Sequence, residues 1–276
     1  MFQDCLKKIK KNSSHLSLDK VRKRFPGIDE KITKLEKTQG HNYKDTKIAA
    51  LSLIHSSSLV QWPKNKSGVE SNERLEFLGD AFLNFYTASK LMSEFPAFKE
   101  GQLSKLRAAI VGTENLAQKA RRLNLARFVI AVKPNKDEQF LLRDSILADL
   151  FESVTAALLL DAGYKKTSSW LDAIFKEDFI NAKDILESYD VKSKLQQYIQ
   201  SLINVPPNYE LVGEESTARE TFFIVAAFIG DKEISRGKGL SKKSATKDAA
   251  KITWQKIQKG ELTKESIKAF YEESQA

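Results

Sequence analysis

The stretch "NERLEFLGDA" (72–81) decides how the first half of the chain is read. At about 100° per residue it is a helix that continues through "FLNFYTASKLM". Leu75, Leu78, Gly79, Phe82, Phe85 and Tyr86 gather on one face, and Glu73, Glu76, Asp80 and Asn84 form a stripe on the opposite face. The acids therefore line a ridge and do not interrupt a core. "SILADLFESV" (145–154) repeats the arrangement: Leu147, Leu150, Phe151, Val154 and Leu158 take one side, with Asp149 and Glu152 at i, i+3 on the other. The acids' small neighbours Ser145, Ala148, Ser153 and Ala156 leave room for another helix or a phosphate backbone.

Working outward, residues 31–185 keep helical spacing throughout, with Gly and Pro falling between segments as helix stops, which predicts an all-α domain. The pattern changes near residue 190. "VKSKLQQYIQSLI" is a helix ended by "NVPPN", because consecutive prolines cannot continue it. "YELVGEES", "ETFFIVAAFIG" and "KEISRGKG" read as three strands, and "SKKSATKDAAKITWQKIQ" as a helix with Ser241 at its N-cap. The order α-β-β-β-α over 191–260 predicts a small α+β domain, with 12 Lys/Arg against 7 Asp/Glu. Residues 1–30, with 8 Lys/Arg against 4 Asp/Glu, read as a solvated, partly helical extension, with an auxiliary RNA-contacting arm as the alternative. The acidic tail 261–276 reads as a frayed helix.

A net charge of +9 and a pI near 9.3 favour a polyanionic partner. The single cysteine, Cys5, rules out an internal disulfide framework and a cysteine-rich metal site. The N-terminus lacks the apolar segment of a signal peptide, and "FFIVAAF" and "AALLL" are too short to span a bilayer, so a cytoplasmic protein without membrane contact is expected.

Two acids at helical spacing usually mean a wet surface. If the two acidic helices face each other, however, four carboxylates repel unless a cation compensates them. Oxygen ligands suit Mg²⁺, and such a cluster supports metal-assisted phosphodiester hydrolysis. Spacing alone leaves open whether the helices meet. His55, in "LIHSSS", reads as a packing histidine, and no nucleophilic triad is visible.

"NERLEFLGDA", "EGQLSKLRAAIVGTENLA" (100–117) and "SILADLFESV" follow one another as the blocks of the ribonuclease III family do, and the chain resembles that family over roughly 31–260. The resemblance implies an all-α endonuclease domain at 31–185 that forms a homodimer and cuts double-stranded RNA, ribosomal and other RNA precursors among them. It implies 5′-phosphate and 3′-hydroxyl ends with short 3′ overhangs. Carried over by position, Glu76, Asp80, Asp149 and Glu152 match the catalytic, metal-holding acids, with Asp80 and Glu152 foremost. Mg²⁺ is the implied cofactor, Mn²⁺ its substitute, and no small-molecule cofactor is implied. Glu73 matches a structural carboxylate, Glu100 a less central acid near the site, and Phe77 an aromatic inserted into the partner subunit. "DEQFLLRD" (137–144) departs from the family in lacking glycines.

"SKLQQYIQ", "PPNYELVGEE", "GKG" and "SKKSATKDAA" likewise resemble the double-stranded RNA-binding domain. That likeness implies minor-groove contact by Gln196 and Gln197 and phosphate contact by Lys242, Lys243 and Lys247. The loop "ESTARETF" (215–222) lacks the family's Gly-Pro and histidine, so the middle contact is expected either to be weaker or to be taken by Arg219. The rival reading is a catalytically inactive RNA binder serving ribosome assembly. Such a protein should have lost one of the four acids, and all four are present.

Overall fold

A computed structural model of the chain describes residues 4, 6, 8, 9, 17–59, 70–132, 140–216 and 221–275, with backbone alone for 187–190. The chain divides into two compact units, Met1–Ile180 and Asn181–Ala276.

The first unit is helical: α1 Leu18–Arg24, α2 Ile28–Gln39, α3 Thr46–Ser52, α4 Glu73–Glu94, α5 Glu100–Ile110, α6 Thr113–Arg122, α7 Asp144–Ala162, α8 Tyr164–Ile174 and α9 Lys176–Ile180. Its centre is α7, "DSILADLFESVTAALLLDA", against which α3, α4, α6 and α8 pack. Leu147, Leu150, Phe151, Val154 and Leu158 are fully buried, as their spacing predicts. Ala148, Ser153 and Ala156 are buried too, so the small-residue side of α7 faces protein. The first 30 residues are not a solvated arm throughout. Val21 and Ile28 are buried, and α1 packs against α2 and α3. The lysines and arginines of "RKR" mask this in the sequence, since one apolar residue per turn suffices to dock a short helix.

The second unit holds α10 Ala182–Ile203, the strands β1 Asn208–Ser216, β2 Thr221–Ile229 and β3 Lys232–Gly239, then α11 Lys242–Gln258 and α12 Lys264–Glu273. The sheet is antiparallel in the order β1-β2-β3. Helix α10 stops at Asn204, which takes the left-handed conformation (φ 60°) before Pro206. Helix α11 lies on β2 and β3, and Gly237 permits its closeness: a methyl there would overlap the backbone of Ala245 and Ala249. Leu195, Ile199, Ile229, Ile234 and Ala250 form the core, together with Leu262 and Ile267.

The last two residues correct the reading of 261–276 as a frayed tail. Helix α12 is capped by Thr263, whose hydroxyl accepts the Ser266 N–H at 3.2 Å, and it packs against α10 and β2. Four acids against two lysines conceal an apolar set, Leu262, Ile267, Phe270 and Tyr271, that completes the core. Among the described residues no helix is long and apolar enough to cross a membrane.

Candidate active site

Helices α4 and α7 meet at Gly79 and Glu152. A methyl group at Gly79 would overlap the Glu152 carbonyl and stand 2.9 Å from its Cα, so only glycine lets the backbones come this close. Beside that contact Ser153 donates to the Ser52 carbonyl at 2.8 Å, and the Asn72 amide reaches Ser153 Oγ at 3.4 Å. The end of α3, the start of α4 and the middle of α7 are thereby tied at one point.

The approach brings one carboxylate oxygen each from Glu76, Asp149 and Glu152 within 4.8 Å of one another. All three side chains are half-buried. None of the ion pairs among the described residues involves them or Asp80. Burial, then the charges of Asp80, Asp149 and Glu76, push the Glu152 carboxyl up to about 8. Burial, then Asp149, Glu73 and Asp80, push Glu76 up to about 7, and burial raises Asp149. Three hard oxygens crowded without a counter-charge are a donor set suited to a divalent cation, which would supply the missing positive charge.

Glu152 and Glu76 hold protons in the folded state that they lose near 4.5 when unfolded. Their stabilising contribution is complete below about 4.5 and is lost as pH rises through about 7 and 8. In chelator, the melting temperature of the native protein should fall relative to Glu152→Gln as pH rises from 5 to 8, and Mg²⁺ should reverse the fall. Parallel melting curves in chelator would contradict the crowding.

Asp80 stands outside the triad of close oxygens. It is exposed on α4 and accepts from Asn84 Nδ2 at 2.8 Å, yet its charge is the largest single charge acting on Glu152. Glu73 is exposed at the start of α4, and its charge acts on Glu76 and His55. Glu100 is exposed on α5, accepts from Ser104 at 2.7 Å and is not one of the three clustered acids. His55 is a packing residue: Nδ1 accepts the Ser57 N–H at 3.1 Å, its ring meets Phe140 edge-on, and burial lowers its pKa.

Phe77 is 78% exposed on the acidic side of α4. Phe85, expected to face inward, is 59% exposed instead. The buried stripe runs through Leu75, Gly79, Leu83 and Tyr86 and drifts toward Thr87, which leaves Phe85 on the far side. Phe77, Phe85 and Met92 are the large apolar side chains that α4 leaves exposed.

In the second unit Ser241 caps α11 by accepting the Ser244 N–H at 3.1 Å, as its position predicts. Lys242 and Lys243 are exposed in the first turn, and Lys247 is half-buried one turn on. Gln196 and Gln197 are exposed on α10 between the buried Leu195 and Ile199. Arg219 lies outside the described residues, as does Cys5. Sequence reasoning missed the Gly79–Glu152 approach, for which the signal was a glycine inside an otherwise strong helix. It also missed the bond from Asn84 to Asp80, although their i, i+4 spacing allows one.

Residues 45–178 match the family model described as ribonuclease-III-like, and residues 191–257 match the double-stranded RNA binding motif. A protein of Roseiflexus sp. named Ribonuclease 3 is 33% identical over 229 residues, covering 83% of this chain and 97% of that protein. One of the same name from Campylobacter concisus is 35% identical over 233 residues, covering 83% and 99%. A solved ribonuclease III nuclease domain from Campylobacter jejuni is 33% identical, covering 54% of this chain and 98% of that one at a TM-score of 0.48.

Proposed function

The chain belongs to the ribonuclease III family, and from that premise we propose that it is a Mg²⁺-dependent endoribonuclease that hydrolyses double-stranded RNA at the cluster of Glu76, Asp149 and Glu152. The observation that carries this reading is the convergence of three carboxylates from two helices, none of them in an ion pair among the described residues. The same oxygens would also accept Mn²⁺. Glu76, Asp149 and Glu152 would hold the Mg²⁺, which would supply water activation and offset charge on the scissile phosphate. The chain's own part is to hold Glu76, Asp149 and Glu152 in place through Gly79 and Ser153, with Asp80 beside Glu152. Glu76 and Glu152 must also give up their protons to take the cation. Attack by water leaves 5′-phosphate and 3′-hydroxyl ends. The natural substrates are ribosomal and other RNA precursors in the cytoplasm. Cleavage of a long RNA duplex in Mg²⁺ and in chelator tests the activity.

One cluster serves one strand, so cutting both strands with a short 3′ overhang takes a second cluster related by a two-fold axis. The exposed side chains of Phe77, Phe85 and Met92 are the surface proposed to bury itself in that homodimer. Phe77→Asp should sediment as a monomer at concentrations where the native chain is a dimer. An unchanged dimer would rule Phe77 out of the interface.

The duplex is held by the second unit. Lys242 and Lys243 meet phosphates at the capped N-terminus of α11, with Lys247 one turn behind them. Gln196 and Gln197 border a minor groove, and Arg219 takes the middle contact. Replacing Lys242 and Lys243 by Ala should lower the log–log salt slope of duplex binding by about 1 per lysine. An unaltered slope would remove them from the phosphate path.

A further inference from the structure

We propose that Asn84 is a positioning residue that fixes the Asp80 carboxylate for the cation on the ridge of α4 that also carries Glu76. The inference rests on the metal-site reading above and deepens it. Asn84 Nδ2 is within hydrogen-bond distance of two acceptors on one residue: the Asp80 carbonyl at 3.0 Å and Asp80 Oδ1 at 2.8 Å. The carbonyl belongs to the helix backbone, so the first bond anchors the amide to α4 and the second aims a fixed donor at the carboxylate.

Asp80 needs such a fix. It is exposed, it stands outside the group of close oxygens, and no other hydrogen bond among the described residues reaches its side chain. An unheld carboxylate on an exposed helix face samples several rotamers, and only some of them turn its charge toward Glu152. One bond to Oδ1 leaves Oδ2, and the second lone pair of Oδ1, for a cation or its water. The donor's neutrality also matters. A lysine at position 84 would bind Asp80 more strongly but would cancel charge at a site that needs to stay anionic.

The test is Mg²⁺ titration by calorimetry of the RNA-free full-length chain. Asn84→Leu removes the donor and keeps the branched shape, and Asn84→Ala serves if the leucine variant does not fold. Mg²⁺ affinity should fall roughly tenfold, the scale seen when a partner of a metal ligand is lost. The metal-free melting temperature and metal-free duplex affinity should stay at native values. In an Asp80→Asn background the same change should weaken Mg²⁺ binding no further, because the carboxylate that it orients is gone. Native Mg²⁺ affinity in Asn84→Leu, with weakened binding in Asp80→Asn, would overturn the role of Asn84 and leave the metal site standing. An equal loss with and without the Asp80 carboxylate would mark Asn84 as merely structural and overturn it as well. Native affinity in both Asp80→Asn and Glu152→Gln would instead sink the metal-site reading itself.

Discussion

Glu152→Gln is expected to abolish duplex cleavage, lowering the rate at least about 10³-fold, or ~4 kcal/mol of barrier, while leaving the fold and RNA affinity at native levels. Two facts make the effect so one-sided. The Glu152 carboxyl is pushed up to about 8, so at neutral pH without metal it is mostly protonated. Glutamine is a close copy of that neutral acid in size and hydrogen-bonding capacity, and the metal-free structure hardly registers the change. The charged form is what a cation requires, and glutamine cannot supply it. Glu152 also stands where the fields of Asp80, Asp149 and Glu76 converge, so its loss removes the member coupled to all the others. Rates and filter-binding affinities on one RNA duplex measure both halves of the expectation. A variant that retains most of its activity would remove Glu152 from the metal site.

Gly79→Ala should damage both stability and activity. Alanine is the better helix former by about 1 kcal/mol, so propensity alone predicts a gain. Sterics oppose it: the added methyl overlaps the Glu152 carbonyl and lies 2.9 Å from its Cα. These are backbone atoms, and no side-chain rotation relieves the clash. Forcing extra volume into a close-packed contact costs about 3 kcal/mol at the upper end of the usual range, so the clash wins. The melting temperature of the first unit should fall by roughly 4–8 °C after the propensity gain is subtracted. Parting α4 from α7 also draws Glu76 away from Asp149 and Glu152, and cleavage should fall with it. Calorimetry and a cleavage assay on the same preparation separate the two effects. An unchanged melting temperature would contradict the close approach.

Much of the architecture could be read from periodicity. The three strands, the helix capped by Ser241 and the burial of Leu147, Phe151 and Val154 all follow from local spacing and turn residues. The acidic ridge of α4 was legible for the same reason. What local spacing could not supply was contact between distant elements. Nothing in residues 72–81 says that 149–152 lies against them; Gly79 and Ser153 do so only once the chain is folded. The same limit explains Phe85, whose exposure depends on which neighbours cover α4, and the C-terminal helix α12. There a count of charges hid Leu262 and Ile267, which are buried because α10 supplies the opposite wall. In the candidate site, residue types and order were legible, whereas the separation of Asp80 from the close triad and its tie to Asn84 needed three dimensions.

The central claim is that this chain cuts double-stranded RNA by means of a cation held between α4 and α7. Its most direct test is incubation of the purified full-length protein with a long RNA duplex, in Mg²⁺ and in excess chelator, followed by gel analysis of the products. Cleavage to short duplexes in Mg²⁺ and none in chelator is the predicted result. Cleavage that persists in chelator would contradict the metal mechanism, and intact duplex in both conditions would contradict the nuclease.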